Sequence, residues 1–109
     1  MAAAADSEPH VEIVGEREAE RYAISVDGGR AGFTQYRDRD QALAFLHTEI
    51  DDRFEGHGLG SRLISFALDD ARSRGLAVLP FCPFVRGYIQ RHREYVDLVP
   101  EDQRPRFGL

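Results

Sequence analysis

Phe54-Glu55-Gly56-His57-Gly58-Leu59-Gly60, residues 54–60, decides how this 109-residue chain is read. Three glycines alternate, and a helical period begins at the end of the run. Leu59, Leu63, Phe66, Ala67 and Ala71 fall at helix-face spacing, while Ser61, Arg62, Ser65, Asp69, Asp70, Arg72 and Ser73 fill the opposite side. Gly75, just past Arg74, is a C-terminal stop. A glycine-rich turn that opens a helix suits an anion. The first N–H groups of a helix have no partner within it, the helix dipole adds about half a positive charge, and glycine removes the Cβ that would hold a phosphate away. A plain surface turn before a helix fits the same letters. Two other phosphate-binding patterns do not fit. The chain has no lysine, so a P-loop ending is missing, and the strand before the turn belongs to a meander and opens no βαβ unit.

Upstream of the turn, the period is two. A strand is predicted over Gln41 to Ile50, with Leu43, Phe45, His47 and Glu49 on one face and Ala44, Leu46, Thr48 and Ile50 on the other. Before it, Asp38-Arg39-Asp40 reads as a turn, Arg30 to Arg37 as a strand, and Asp27-Gly28-Gly29-Arg30 as a hairpin turn. The stretch from Arg21 to Val26, alternating Tyr22, Ile24 and Val26 with Ala23 and Ser25, is a further strand. Val11, Ile13 and Val14 form a shorter strand candidate before Gly15. Downstream, Leu76 to Phe81 is a continuous apolar run of the kind that pairs as a buried strand after a crossover helix. Pro83 opens a second helix with Phe84, Val85, Tyr88 and Ile89 on its apolar face. Beyond Tyr95, Pro100 and Pro105 suggest a short strand or turn and then a tail. The fold class is therefore α/β, a mixed sheet in which an antiparallel meander leads into a β-loop-α-β-α unit.

Composition narrows the function. The chain is 42% hydrophobic and 30% charged, which is ordinary for one globular domain. A net charge of -5 argues against nucleic acid and anionic membranes as partners, since both favour basic proteins. No apolar run approaches the roughly 20 residues of a membrane span. The start, Met1 to Asp6, lacks the basic and hydrophobic regions of a signal peptide, so a cytoplasmic protein is expected. The single cysteine, Cys82, rules out an internal disulfide, and the four histidines show no metal-ligand spacing. All 14 basic residues are arginine, which excludes lysine Schiff-base chemistry.

Glu55-Gly56-His57-Gly58-Leu59-Gly60, set between a strand and an amphipathic helix, resembles the acetyl-CoA pyrophosphate loop of the GNAT superfamily of N-acyltransferases. His47-Thr48-Glu49-Ile50 before it, and Val78 to Val85 with Tyr88-Ile89 after it, resemble the small single-domain YjdJ-type branch, over about Arg21 to Leu98. The resemblance implies a truncated GNAT fold at 10–99 between a flexible tail at 1–9 and a C-terminal tail at 100–109. It implies acetyl-CoA as co-substrate and an amine acceptor, with the diphosphate on backbone amides of Gly56, His57, Gly58, Leu59, Gly60 and Ser61. The pantetheine arm would lie beside Thr48, Ile50 and Cys82, where the strand before the loop and the strand after the helix part. Glu55 stands where the superfamily has Gln or Arg and cannot donate to a phosphate; Arg53 or Arg62 would supply that donor. The helical segment that typical members carry between their first two strands, and use to shape the acceptor site, is missing. A non-catalytic acyl-CoA sensor is the alternative, and a homodimer is among the assemblies open to so small a domain.

Acyl transfer to an amine needs a base, a dipole that polarises the thioester carbonyl, and a proton for the leaving thiolate. His47 and Glu49, two apart on one predicted strand face, are the candidate base pair, or else a polar end to an apolar face. Cys82 is a small buried residue or, with a lowered pKa, an acyl acceptor. Tyr88 resembles the tyrosine with which many GNAT enzymes protonate the CoA thiolate; a core aromatic fits its position equally. His92 is expected to face solvent.

Overall fold

The computed structural model describes residues 9–109. Four strands run antiparallel in chain order: β1 (Val11–Glu16), β2 (Arg21–Val26), β3 (Gly29–Arg39) and β4 (Ala42–Ile50). Helix α1 (Leu59–Ser73) then crosses over, and β5 (Ala77–Pro80) adds to the sheet parallel to β4. Helix α2 (Pro83–Arg91) and two 3-10 helices, Arg93–Leu98 and Glu101–Phe107, complete the chain. The predicted mixed sheet with its meander and β-loop-α-β-α unit is thus the observed fold. The short candidate at Val11 is a full strand, and one 3-10 turn, Arg17–Ala19, is all that separates β1 from β2.

The register shifts twice, between β2 and β3 at Ile24/Ser25 and between β3 and β4 at Gln35/Tyr36, and the second shift, a β-bulge, corrects the predicted faces of β4. Tyr36 pairs with Phe45 but Gln35 pairs with His47, so Leu46 is an extra residue on β4 with no partner on β3. A one-residue insertion reverses which face every later side chain takes. Leu43 and Phe45 are therefore buried in the core while His47 and Glu49 are exposed, not joined to them on one face as the period alone predicts. The same step brings Thr48 to Thr34, the one buried polar residue among those described, with the two hydroxyls 2.8 Å apart. The β3–β4 turn also lies later than expected, at Asp40 and Gln41, whose φ angles of 49° and 65° are those of a tight hairpin.

The core lies between the sheet and α1. Tyr22, Tyr36 and Phe45 pack against one another with centroids 5.4 to 6.4 Å apart. Leu63, Ile64, Ala67, Leu68 and Ala71 of α1 are fully buried. Ile64 and Leu68 lie outside the predicted face, and Phe66, which belongs to it, is exposed. The first difference fits α2, whose Val85 and Ile89 share this core and draw the buried stripe of α1 toward Ile64 and Leu68. The C-terminal residues are not a tail. Leu98, Val99 and Phe107 are buried, and Phe107 packs edge-on against Phe81 at 5.2 Å. The tail expected over 1–9 falls, apart from Pro9, outside the described residues.

Burial is also a pH statement. The Tyr22 hydroxyl donates to Asp70 at 2.7 Å, and Arg74 donates to the same carboxylate oxygen at 3.1 Å. Burial first, and then the Asp70 carboxylate, raise the Tyr22 phenol well above its ordinary value; burial likewise raises Tyr36. A raised folded-state value keeps its stabilisation in full below the unfolded tyrosine value near 10 and loses it as pH climbs further. Melting temperature is expected to fall steeply above pH 10, and Tyr22→Phe should flatten that fall. An unchanged slope in the variant would assign the loss to other groups.

Candidate functional site

Pairing between β4 and β5 runs from Ala42↔Ala77 to Phe45↔Pro80 and stops. Pro80 has no N–H to continue a ladder, and Leu46 opposite is the bulge. The Cys82 N–H makes one last bond to the Phe45 carbonyl at 2.8 Å. Beyond it, Leu46 to Ile50 have β3 on one side and no strand on the other among the described residues. The two strands part there, leaving β4 backbone groups free to meet an extended ligand as a further strand would.

The glycine turn lies at the end of this opening. Gly58 is the N-cap of α1 with φ +73°, and no side chain caps the helix. Its first-turn amides therefore have no side-chain partner among the described residues. A Cβ on Gly58 would meet nothing within 4 Å, so glycine is needed there for backbone conformation and the space over the turn is open. At Gly60 the reason differs: a Cβ would run into the ring of Phe84, which crosses from α2 to lie on the helix start. The turn, the end of β4 and Phe84 enclose a groove of about 690 Å³. That volume suits a small-molecule site.

Most residues predicted for the cofactor line this groove: Thr48, Ile50, Gly56, Gly58, Leu59, Gly60 and Ser61. Cys82 stands just behind it, buried, with Sγ 3.3 Å from the Thr48 hydroxyl. Arg53 and His57 do not line it. The Arg53 guanidinium is held by Asp51 through bonds of 3.1 and 3.0 Å, and that contact keeps the Asp51 carboxyl below the usual carboxylate range. Glu55, read as the first residue of the loop motif, lines the groove too, and so do Asp52, Phe54 and Phe84, which were not predicted to; only the aromatic character of Phe54 and Phe84 next to the motifs hinted at it.

The four candidate catalytic residues separate. Glu49 lines the groove, and its Oε2 lies 2.7 Å from Nε2 of His47, which packs edge-on against Phe33. Tyr88 is elsewhere. It is buried, stacked on His92 at 4.1 Å and close to Tyr95, and outside the groove lining. That stacking leaves His92 half-buried where solvent exposure was expected.

A model of the GCN5-related N-acetyl-transferase family matches residues 21–98, most of the chain. The solution structure of a GCN5-like protein from Staphylococcus aureus is similar in fold, with a TM-score of 0.63 at 24% identity over 82% of this chain and 87% of that one. No protein of curated function matches in sequence.

Proposed function

The chain belongs to the GCN5-related N-acetyl-transferase family, whose members use acetyl-CoA as co-substrate, and we propose that it transfers the acetyl group to a primary amine at the mouth of the groove. The uncapped N-terminus of α1 beside the parted β4 and β5 carries this reading. Amides of Gly56 to Ser61 bind the diphosphate, and free β4 backbone groups past the Leu46 bulge hold the pantetheine arm. The thioester then reaches the Thr48 and Cys82 end of the opening. The branch of the family, a cytoplasmic location and the acceptor's identity belong to the same proposal.

The chemistry follows from what stands there. The amine nitrogen attacks the thioester carbon, the carbon–sulfur bond breaks, and the amide forms. Glu49, steadied by His47, takes the proton the amine loses, directly or through one water. The departing CoA thiolate takes a proton from solvent or from the Cys82–Thr48 pair, since Tyr88 is stacked away from the groove.

Release of free thiol from acetyl-CoA in the presence of assorted amines tests this. Glu49→Gln is expected to lower kcat by about 10²-fold with the acetyl-CoA affinity kept. Equal rates in the two proteins would remove Glu49 as the base. Binding without any thiol release would favour an acyl-CoA sensor. One observation supports that second reading: a single 3-10 turn, Arg17–Ala19, stands where typical members carry the helical segment that shapes an acceptor site.

A further inference from the structure

The two edges of the sheet are built differently. At one, β5 is four residues long and ends at Pro80. At the other, β1 runs for six residues with no proline and no register shift against β2. Backbone bonds fix which way each strand points its groups. The Asp27 N–H donates to the His10 carbonyl and the Tyr36 N–H to the Glu20 carbonyl, so β2 turns its odd-numbered residues toward β1 and its even-numbered ones toward β3. Glu12, Val14 and Glu16 therefore bond to β2, and Val11, Ile13 and Gly15 present their N–H and C=O groups outward. Among the described residues no strand meets them. An uncharged edge of this kind is a template for further pairing.

A side-chain surface continues that edge. Ile13 lines an open cavity of about 460 Å³ together with Arg62, Ser65, Phe66 and Asp69 of α1. Phe66 is 40% exposed there. Arg62 and Asp69 flank it along the helix, about two turns apart, and both are exposed. Among the described residues neither has an ion-pair partner, and Asp69 accepts only the Tyr95 hydroxyl, at 2.8 Å.

We propose that a second copy of this chain docks here, β1 against β1 and antiparallel, about a two-fold axis at Ile13. In that register Ile13 faces Ile13 and Val11 faces Gly15, each pair exchanging its outward backbone bonds, while Glu12 faces Val14, so no like charges meet. Helix α1 leads from β4 to its parallel neighbour β5, so it runs against β4 and in the direction of β1. The axis thus sets α1 beside its copy in the opposite sense, with Phe66 of both copies in the seam and Arg62 of each opposite Asp69 of the other. A strand from another protein could pair with β1 as well, but the spacing of Arg62 and Asp69 is self-complementary only under this two-fold. The surface lies at the edge away from the parted β4 and β5, and it does not depend on what the groove binds.

Light scattering over a concentration series tests it. The mass of the parent is expected to climb to twice that of the chain. Arg62→Asp sets a carboxylate opposite Asp69, and Asp69→Arg sets a guanidinium opposite Arg62, so each variant alone should dimerise at least ~10-fold more weakly. Mixed in equal amounts, the two should pair again, because every facing charge is then of opposite sign. Both positions are exposed, so the variants should stay folded. Gly15→Pro removes an outward N–H that β2 does not use, and a Cβ there meets only the Tyr22 ring at ordinary distances of 3.5 and 3.6 Å; it should weaken the dimer likewise. A parent that stays monomeric overturns the interface. So do variants that associate as the parent does, or a mixture of the two charge variants that fails to pair.

Discussion

Gly58→Val is expected to abolish acetyl-CoA binding, weakening it at least ~100-fold, while Gly75→Val leaves binding intact and costs similar stability. The two glycines make a matched pair. Gly58 has φ +73° and Gly75 φ +69°, and a Cβ at either meets nothing within 4 Å. Each valine is thus penalised by backbone conformation alone, by about 1–3 kcal/mol for a β-branched residue held in the left-handed region. They sit at opposite ends of α1, and only Gly58 aims the amides of the anion turn. Relief of the strain at Gly58 swings those N–H groups off the diphosphate. Relief at Gly75 moves the exposed link into β5. Melting curves with and without acetyl-CoA separate the effects: both variants should melt earlier than the parent, and only Gly75→Val should regain stability with ligand. Equal rescue of both would detach the turn from binding.

Phe45→Ala is expected to cost about 3–5 kcal/mol, and Leu46→Ala, one residue on, less than about 0.5 kcal/mol. Phe45 is fully buried against Tyr22 and Tyr36, whereas Leu46 is 45% exposed. A domain of this size is stable by about 5–15 kcal/mol in all, so the first change removes a large part of it. At about 4–8 °C per kcal/mol, Phe45→Ala should lower Tm by on the order of 20 °C. The contrast marks where the buried run of β4 ends. Comparable losses in the two variants would place Leu46 in the core beside Phe45 and contradict this packing.

Where one period ran uninterrupted, the sequence was legible. The alternation from Tyr22 to Val26, the glycine hairpin at Gly28, and the step from glycine turn to Leu59 each left a mark in residue type, and each element stands where it was predicted. The bulge left none. Leucine serves on either face of a strand, no glycine or proline flags the extra residue, and the error passed on to His47 and Glu49. Even so, their shared parity survived the bulge, since both follow it, and their side chains do meet. The burial of Ile64 and Leu68 depends on α2 arriving from elsewhere, which no local window contains. Pro100 and Pro105 read as the end of regular structure. Proline is equally at home in a 3-10 helix, and the contact that orders this one, Phe107 on Phe81, joins residues 26 apart in the chain. The glycine turn and the helix start behind it were legible in residue type, whereas the acidic groove wall joins Glu49, which lies past the unmarked bulge, to Asp52 and Glu55 of the loop.

Amide resonances in the ¹⁵N-labelled protein test the central claim most directly, with CoA and with pantetheine, which lacks the diphosphate, added in turn. The account predicts that CoA shifts Gly56, Gly58, Leu59, Gly60 and Ser61 strongly and that pantetheine leaves them in place. Shifts confined to other parts of the molecule, or a glycine turn that ignores CoA at saturation, would contradict it.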